Sequence, residues 1–357
     1  MRYLTYVGCY TDEKKEGIHI FETDSETGAF CPVGLVGGIE NAIHLTLNAS
    51  RTRLYAGLGM PEYGASAQNG AVAAYEVQGD TLRLLNHCPV GVTPPCYVAL
   101  DPSEQALAFA EYTNAVAGVF ELAEDGRFTD APAVTVQHEG EGPSKPRQDK
   151  AHAHCAEVTP DGRYLCVVDL GLDQVRVYDF PERRGGLRER STLTIRSVGG
   201  AGPRHILFHP NGRFAFVLHE LNNTISSFRY TGEEFVLVQT VPMLPPEFKA
   251  YSKAAAIKLS ADGRQLFGSN RGHDSIAAYD LDPDSGRMSL LAISKLVGEF
   301  PRDFEFLPGG KFVLLGHENS NELFSYAYDA KSGVFTPAHG PFSLHRPVLV
   351  RFGVRRS

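Results

Sequence analysis

The chain has 357 residues, of which 43% are hydrophobic, and its 34 basic and 42 acidic side chains give a formal net charge of −8. This composition is that of a folded protein with a full core, and the negative, evenly spread charge argues against nucleic acid, whose binding needs a basic surface. No apolar run approaches the roughly 18 residues of a membrane helix, and Met1 leads directly into strand-like alternation without the apolar core of a signal peptide. We therefore expect a cytoplasmic protein that is not bound to a membrane.

The chain begins with three runs typical of β-strands, at 3–10, 17–23 and 30–36. A short phrase then recurs about every 50 residues: an alternating apolar run, a turn such as Pro-Asp-Gly-Arg, and a second apolar run. The Asp-Gly and Asn-Gly turns predict β-hairpins, because glycine accepts a positive φ at little steric cost. The copies, some of them eroded, contain the segments 47–52, 100–105, 158–165, 208–215, 259–266 and 307–312.

A third β-rich run follows each hairpin, as at 174–178, and a weaker fourth run follows that, as at 288–291. Four short antiparallel strands per repeat are typical of a β-propeller blade. The run 346–352 has no hairpin partner, and the three N-terminal runs would complete its blade and close the ring. The sequence therefore predicts an all-β, seven-bladed β-propeller of four-stranded antiparallel blades, with one domain over residues 1–357. Two stacked β-sandwiches are the alternative, but they would not explain why the two ends complement each other.

Polar side chains are predicted to crowd one mouth of the ring. In a propeller the first strand of each blade lines the central channel and the second returns antiparallel, so first-strand starts and second-strand ends meet at one face. Counting from the hairpin turns places Arg204 opposite Glu220 and Arg302 opposite Glu318. Ionisable groups in a water-poor funnel are typical of anion-binding sites with shifted pKa values, although both pairs could instead be structural salt bridges. Other residues predicted at this mouth are His154, Asp169, His205, His219, Lys253, Asn270, Arg271, His317 and Arg346.

The longest connection between blades, 138–150, is rich in Gly, Pro, Lys and Glu, and we expect it to cross this mouth as a lid. Arg147 and Gln148 could reach the pocket from it, and a merely solvated loop is equally compatible with its composition. His152 and His154 lie on one side of a strand, a spacing that could ligate a metal ion. Because no third ligand at a suitable spacing is evident, the sequence predicts no metal site.

Six cysteines lie in the first 166 residues and include no C-x-x-C pair. Because nothing else in the sequence indicates secretion, we expect buried free thiols rather than disulfides. These residues are Cys9, Cys31, Cys88, Cys96, Cys155 and Cys166.

Five segments carry a resemblance to a known family: 147–154, 169–173, 200–205, 219–222 and 268–276. Together they resemble the lactonase family of seven-bladed propellers, and the resemblance extends over nearly the whole chain. The family includes a carboxymuconate cyclase, whose functional His, two Arg and Glu would fall on His154, Arg204, Arg271 and Glu220. The resemblance implies that these four residues are catalytic. The residues expected to bind substrate around them are His152, Arg147, Gln148, His205, Asp169, His219, Asn270 and Arg302.

The resemblance also implies the hydrolysis of a sugar-acid lactone, with 6-phosphoglucono-δ-lactone as the leading substrate and no metal or organic cofactor. Glu220 or His154 would activate water as the general base, and Arg204 and Arg271 would hold a carboxylate, phosphate or oxyanion. Two alternatives stay open: a lactone-forming or isomerising enzyme that acts on a dicarboxylate, and a non-catalytic propeller that binds a partner through an apolar patch. The expected partner is a small anionic lactone, and the expected assembly is a monomer or a weak homodimer.

Overall fold

Seven four-stranded antiparallel sheets form the computed structural model, which describes residues 1–63, 69–180 and 186–355. Each sheet is one blade, numbered here in chain order. Blade 1 contains β1 (Arg2–Cys9), β2 (Glu16–Asp24), β3 (Phe30–Gly37) and β28 (Pro347–Arg355); blade 2 contains β4 (Glu40–Leu47), β5 (Arg53–Gly59), β6 (Gly70–Gln78) and β7 (Thr81–Gly91); blade 3 contains β8 (Tyr97–Leu100), β9 (Ala106–Glu111), β10 (Val116–Glu121) and β11 (Val134–Gln137).

The remaining four blades follow the same order along the chain. Blade 4 contains β12 (Ala153–Val158), β13 (Tyr164–Asp169), β14 (Gln174–Asp179) and β15 (Ile195–Arg196); blade 5 contains β16 (Pro203–Phe208), β17 (Phe214–His219), β18 (Thr224–Tyr230) and β19 (Phe235–Pro242). Blade 6 contains β20 (Lys253–Leu259), β21 (Gln265–Arg271), β22 (Ser275–Leu281) and β23 (Met288–Lys295); blade 7 contains β24 (Pro301–Phe306), β25 (Phe312–His317), β26 (Glu322–Asp329) and β27 (Val334–Ser343). The only helical segments in the described ranges are the 3₁₀ turns Pro61–Tyr63 and Ser191–Leu193, and neither could cross a membrane.

The sheets close into a ring around their innermost strands. These strands contact one another in the order β28, β4, β8, β12, β16, β20 and β24, and β24 contacts β28 again. In blade 1 the last strand pairs antiparallel with the first, with Val7 opposite Val350, so both ends of the chain share one sheet. The predicted seven-bladed propeller and its composite closing blade are therefore confirmed.

The recurrent turn phrase forms the hairpin between the first and second strands of a blade. Gly162, Gly212, Gly263 and Gly310 adopt φ values of 70°, 71°, 70° and 70° in these turns. This left-handed conformation carries a steric penalty for residues with a Cβ atom, which explains why glycine recurs at this point of the repeat.

The hydrophobic core lies between neighbouring blades rather than at the centre of the ring. Between blades 6 and 7, for example, Phe267, Phe304 and Tyr326 are fully buried, and the ring of Phe267 meets that of Phe335 edge-on with 5.9 Å between centroids. Each such ring contributes about 1.5–3 kcal/mol through burial. Because the faces of the blades supply this stability, the ring centre can hold polar side chains.

All six cysteines are free thiols, as predicted. Burial differs from one to another, however: Cys9, Cys155 and Cys166 are buried, Cys31 is exposed, and Cys88 and Cys96 are intermediate. The prediction that all of them are buried was therefore wrong for three. The apolar pattern of their strands did not distinguish the inner strands from the outer strand β3, where Cys31 lies.

The hairpin register differs from the one counted from the turns. Pro203 pairs with His219 and His205 with Leu218, so Arg204 is the extra residue of a β-bulge rather than the partner of Glu220. Arg302 occupies the same position in blade 7, between Pro301, which pairs with His317, and Asp303, which pairs with Gly316. The predicted pairs hold only for a regular antiparallel ladder. A bulge shifts the pairing of all residues on its far side by one position.

Candidate active site

Three bulges direct charged or basic side chains towards the axis of the ring. Two of them, His154 and Arg302, line the cavity at the mouth, whereas Arg204 lines a deeper cavity below it. His154 in blade 4, Arg204 in blade 5 and Arg302 in blade 7 are each the unpaired residue where the inner strand begins. A bulged residue leaves the regular alternation of the strand, and bulges therefore often re-aim a side chain next to an active site. The second strands contribute the residue that follows their last ladder pair, as Glu220 follows His219.

Glu220 is the centre of this mouth and is only 2% exposed. Its Oε2 accepts from Nε of Arg204 at 3.0 Å and from Nη2 of Arg271 at 2.8 Å. Its Oε1 accepts from Nη2 of Arg147 at 2.7 Å. One carboxylate therefore binds three guanidinium groups, which come from the connection 138–150 and from blades 5 and 6.

This arrangement leaves a net positive charge in a buried place. Burial raises the pKa of Glu220, but the charges of Arg271, Arg204 and Arg147 outweigh burial and hold that pKa well below its usual range. Burial and the neighbouring Arg271 lower the pKa of Arg204 to about 9. Such a cluster is suited to receive an additional anion, because guanidinium groups bind carboxylate and phosphate oxygens in a fixed fork geometry.

His154 lies beside this cluster with a neutral imidazole. Burial, followed by the charge of Arg204, lowers its pKa well below 6.5. Its ring meets those of His205 and Tyr112 edge-on, at 5.4 Å and 5.5 Å between centroids, and the Cys96 sulfur is 4.0 Å from Nδ1. Within the described residues Nε2 of His154 has no hydrogen-bond partner, so this nitrogen can accept a proton.

A second group of ion pairs lies on the far side of the mouth. Glu318 accepts from Nη1 of Arg302 at 3.0 Å and from Nη2 of Arg346 at 2.7 Å. Both guanidinium groups lie over the ring of Tyr10, at 5.1 Å and 4.4 Å from its centroid. The predicted Arg302–Glu318 contact therefore exists, but it is formed by side chains that reach across a bulge.

The mouth encloses a cavity of about 420 Å³ whose lining combines charged and neutral polar side chains. Four cations line it together with the carboxylate that binds two of them: Arg147, Lys253, Arg271, Arg302 and Glu220. Neutral polar side chains complete the polar part of the lining: Tyr10, Asn41, Thr93, Tyr112 and Thr113. Cationic donors beside neutral hydroxyl and amide groups suit a ligand that has an anionic end and several hydroxyl groups.

The sequence matches the family described as "Lactonase, 7-bladed beta-propeller" over residues 4–352. The chain belongs to this family. The 6-phosphogluconolactonase of Bacillus subtilis is 34% identical over 355 residues, which are 98% of this chain and 98% of that protein. The periplasmic gluconolactonase of Pseudomonas aeruginosa has a similar structure, with a TM-score of 0.91 and 29% identity over 100% of both chains. A protein from Lactobacillus plantarum gives a TM-score of 0.88 and 34% identity, with 99% of each chain covered.

In this lactonase-family propeller the connection 138–150 lies against the mouth, and its two predicted ligands behave differently. Arg147 reaches the cavity, where its Nη2 also lies 3.3 Å from the Tyr112 hydroxyl. Gln148 is fully buried and instead donates to the backbone oxygen of Leu170 at 2.8 Å. It therefore holds the connection in place rather than facing the cavity.

Four other predicted ligands are themselves absent from the lining of this cavity. Asp169 accepts from the backbone N–H of His152 at 2.8 Å and pairs with Nδ1 of His138 at 2.7 Å. Asn270 donates to the backbone oxygen of Met243, and His219 is bound between Ser197 and Thr224. The ring of His152 stacks on Tyr112, with 4.2 Å between centroids, and supports that side chain from behind.

His205 occupies the channel below the mouth. It lines a second cavity of about 210 Å³ together with His44, Tyr97 and Lys258, and Nη1 of Arg204 is 2.9 Å from its Nε2. His205 was predicted at the mouth, and the structure places it in this deeper cavity instead.

Two cavity residues that the counting missed follow a simple positional rule. Tyr10 comes directly after β1 and Tyr112 directly after β9, just as Glu220 comes after β17. In each blade this is the first residue beyond the second strand, so the repeat itself could have found both. Cys96, which precedes the inner strand β8, carries no comparable signal.

Of the two histidines considered as metal ligands, His152 has other partners. Nδ1 of His152 is 3.1 Å from the backbone oxygen of Tyr112, and its Nε2 is 3.3 Å from Oδ1 of Asp149. Across residues 1–63, 69–180 and 186–355, no three His, Cys, Asp or Glu side chains are grouped as metal ligands would be.

Proposed function

We propose that this protein hydrolyses the lactone of a sugar acid and that 6-phosphoglucono-δ-lactone is its substrate. The observation that carries the proposal is the buried Glu220 carboxylate, bound by three arginines beside a neutral His154 in an otherwise cationic cavity. The relatives named 6-phosphogluconolactonase and gluconolactonase support the same reaction class.

His154 is the better general base of the two candidates. Both oxygens of Glu220 already accept hydrogen bonds from guanidinium groups, so neither is available to a water molecule without the loss of an ion pair. The imidazole of His154 is neutral at physiological pH and has a free nitrogen. A base within reach of a water molecule in a desolvated pocket is the usual requirement for this step.

In the reaction that we propose, water attacks the lactone carbonyl carbon while His154 takes its proton. The carbonyl electrons move onto the oxygen, and Arg204 and Arg271 stabilise this oxyanion by charge-assisted hydrogen bonds. The tetrahedral intermediate then collapses: the bond between the carbonyl carbon and the ring oxygen breaks, and His154 returns the proton to the ring oxygen. The product is an open-chain acid with one new hydroxyl group and one new carboxylic acid, which releases its proton to solvent and becomes a carboxylate.

Glu220 then acts as the organiser of the two arginines. By accepting from Nε of Arg204 and Nη2 of Arg271 it fixes their planes and reduces their mutual repulsion. Prior positioning of donors around a developing oxyanion is a large contribution to catalysis in many enzymes.

The test compares the rate of acid release from 6-phosphoglucono-δ-lactone with and without protein, after subtraction of spontaneous hydrolysis. We expect strong acceleration by the wild type and a loss of about 100-fold or more in kcat for His154→Gln and Arg204→Gln. Glu76→Gln serves as the matched control, since Glu76 is an arginine-bound carboxylate outside the mouth cavity. It should keep the wild-type rate.

The possible outcomes distinguish a wrong reaction from a wrong assignment of the site residues. No acceleration by the wild type rejects the hydrolase, and turnover of an open dicarboxylate in a parallel assay would favour the lactone-forming alternative. If the wild type is active and both site variants keep full rates, the reaction survives but the assigned site is wrong.

A further inference from the structure

Lys253 differs from the other cations of the mouth cavity, because no carboxylate of the described residues forms an ion pair with it. Arg147 and Arg271 bind Glu220, and Arg302 binds Glu318. Within the described ranges no carboxylate lies within 4.0 Å of the Lys253 amine. This amine lies over the face of the Phe300 ring, 5.2 Å from the ring centroid. The side chain nevertheless lines the cavity and is partly shielded from solvent.

The surroundings of this amine are positively charged. Lys253 pairs with Arg271 across β20 and β21, and the Arg271 guanidinium lies over the same Phe300 ring at 5.6 Å from its centroid. Burial, followed by the charge of Arg271, lowers the pKa of Lys253 to about 8. Two cations held side by side on one ring repel each other, and an anion placed between them would relieve that repulsion.

Arg271 provides a second unsatisfied donor at this point. Its residue is only 3% exposed, and its Nε atom is buried without a hydrogen-bond partner among the residues that the structure describes. Native structures rarely leave a buried charged donor without an acceptor unless a ligand supplies one. A group with several acceptor oxygens could serve this atom and the Lys253 amine together.

We propose that Lys253 is the residue that selects a phosphorylated lactone, by binding the phosphate group of the substrate. This inference rests on the function proposed above, because it takes the Glu220 cluster as the reacting end. Lys253 lies beside that cluster through its pairing with Arg271, whose Nη2 binds Glu220. Phosphate fits better than a carboxylate, since it offers three acceptor oxygens and more than one negative charge.

The experiment measures kcat/KM for 6-phosphoglucono-δ-lactone and for glucono-δ-lactone, which lacks the phosphate. The quantity compared is the ratio of the two values, in the wild type, Lys253→Gln and Lys253→Arg. We expect the ratio to fall about 10- to 100-fold in Lys253→Gln, the usual effect of losing a charge-assisted contact, and to recover largely in Lys253→Arg.

A matched control lies in the connection between blades 5 and 6, just before Lys253 in the sequence. Lys249 is exposed, and its amine donates to the backbone oxygen of Pro246 at 2.7 Å. Lys249→Gln should keep the wild-type ratio. Equal losses on both lactones in Lys253→Gln would indicate a structural role and would overturn the proposal, as would a wild type without preference for the phosphorylated lactone.

Calorimetric titration with acids tests the same residue without turnover. The wild type should bind 6-phosphogluconate more tightly than gluconate, and Lys253→Gln should abolish most of that difference. Tighter binding of glucarate, which carries a carboxylate in place of the phosphate, would reassign the position to a carboxylate and overturn the inference. If the wild type hydrolyses neither lactone, the proposed function fails, and this titration still decides the role of Lys253.

Discussion

Replacing Glu220 by Gln should expose how strongly the three arginines depend on one carboxylate. The substitution keeps the size of the side chain but removes the only negative charge that, among the described residues, contacts Arg204 and Arg271, whose guanidinium groups are both buried. Removing one partner of a buried ion pair typically lowers the free energy of unfolding by about 3–5 kcal/mol, because the remaining charge stays buried without compensation. We expect a loss in that range for Glu220→Gln.

A second substitution, at Arg147, tests whether uncompensated positive charge causes this loss of stability. Arg147 is the most exposed of the three cations, with 32% of its side chain accessible. In the Glu220→Gln background, Arg147→Gln removes one of the uncompensated charges and should restore about 1–2 kcal/mol, although the same change in the wild type breaks an ion pair and should destabilise. The sign of the effect of Arg147→Gln should therefore reverse between the two backgrounds.

Chemical denaturation followed by circular dichroism or tyrosine emission suits this measurement, since the chain has 15 tyrosines and no tryptophan. Glu76→Gln, on the outer part of blade 2, provides the control and should be close to the wild type. A Glu220→Gln protein as stable as the wild type, or losses that simply add in the double variant, would refute the idea that charge balance at the mouth is set by this carboxylate.

Three further predictions concern pH and the thiols. Burial and the charge of Arg204 lower the pKa of His205 well below 6.5, so the folded state resists a proton that the unfolded state accepts; stability is therefore full above pH 6.5 and falls as the pH drops below it. Below pH 6.5 the free energy of unfolding should therefore depend on pH less steeply in His205→Gln than in the wild type, by up to about 1.4 kcal/mol per pH unit, as measured by denaturation at several pH values. If His154 is the base, the acid limb of kcat/KM should lie below pH 6.5, and a limb at or above 6.5 would contradict its neutral state. In the folded protein a thiol reagent should react first with Cys31, which is exposed. After unfolding it should react with six thiols per chain, and a count below six would indicate a disulfide.

The sequence was sufficient for the architecture because each blade repeats the same local chemistry. Glycines such as Gly212 mark the hairpins. The single strand at 347–355 and the three N-terminal strands together make up one four-stranded blade. These signals are local, and the pairing that they imply needs no knowledge of side-chain packing. The choice between a propeller and stacked sandwiches followed from counting strands at the two ends.

The site could be predicted only in part, because its geometry depends on departures from the repeat. Arg204 was expected opposite Glu220 in a regular ladder, whereas their contact crosses a bulge and is made by side chains alone. Gln148 and Asn270 lie close in sequence to cavity residues but face the other way, into buried hydrogen-bond networks. Sequence spacing gives the end of the ring at which a residue lies, but not the direction of its side chain.

The bulges at His154, Arg204 and Arg302 also affect how the ligand preference of such a ring can change through substitutions in evolution. Each of these residues has no partner in the backbone ladder, so exchanging its side chain leaves the strand pairing of its blade intact. A new ligand preference could thus arise by substitution at one inner position without a change in the register of the blades. What such a substitution puts at risk is the charge balance at the axis, as at Arg204, rather than the pairing of the strands.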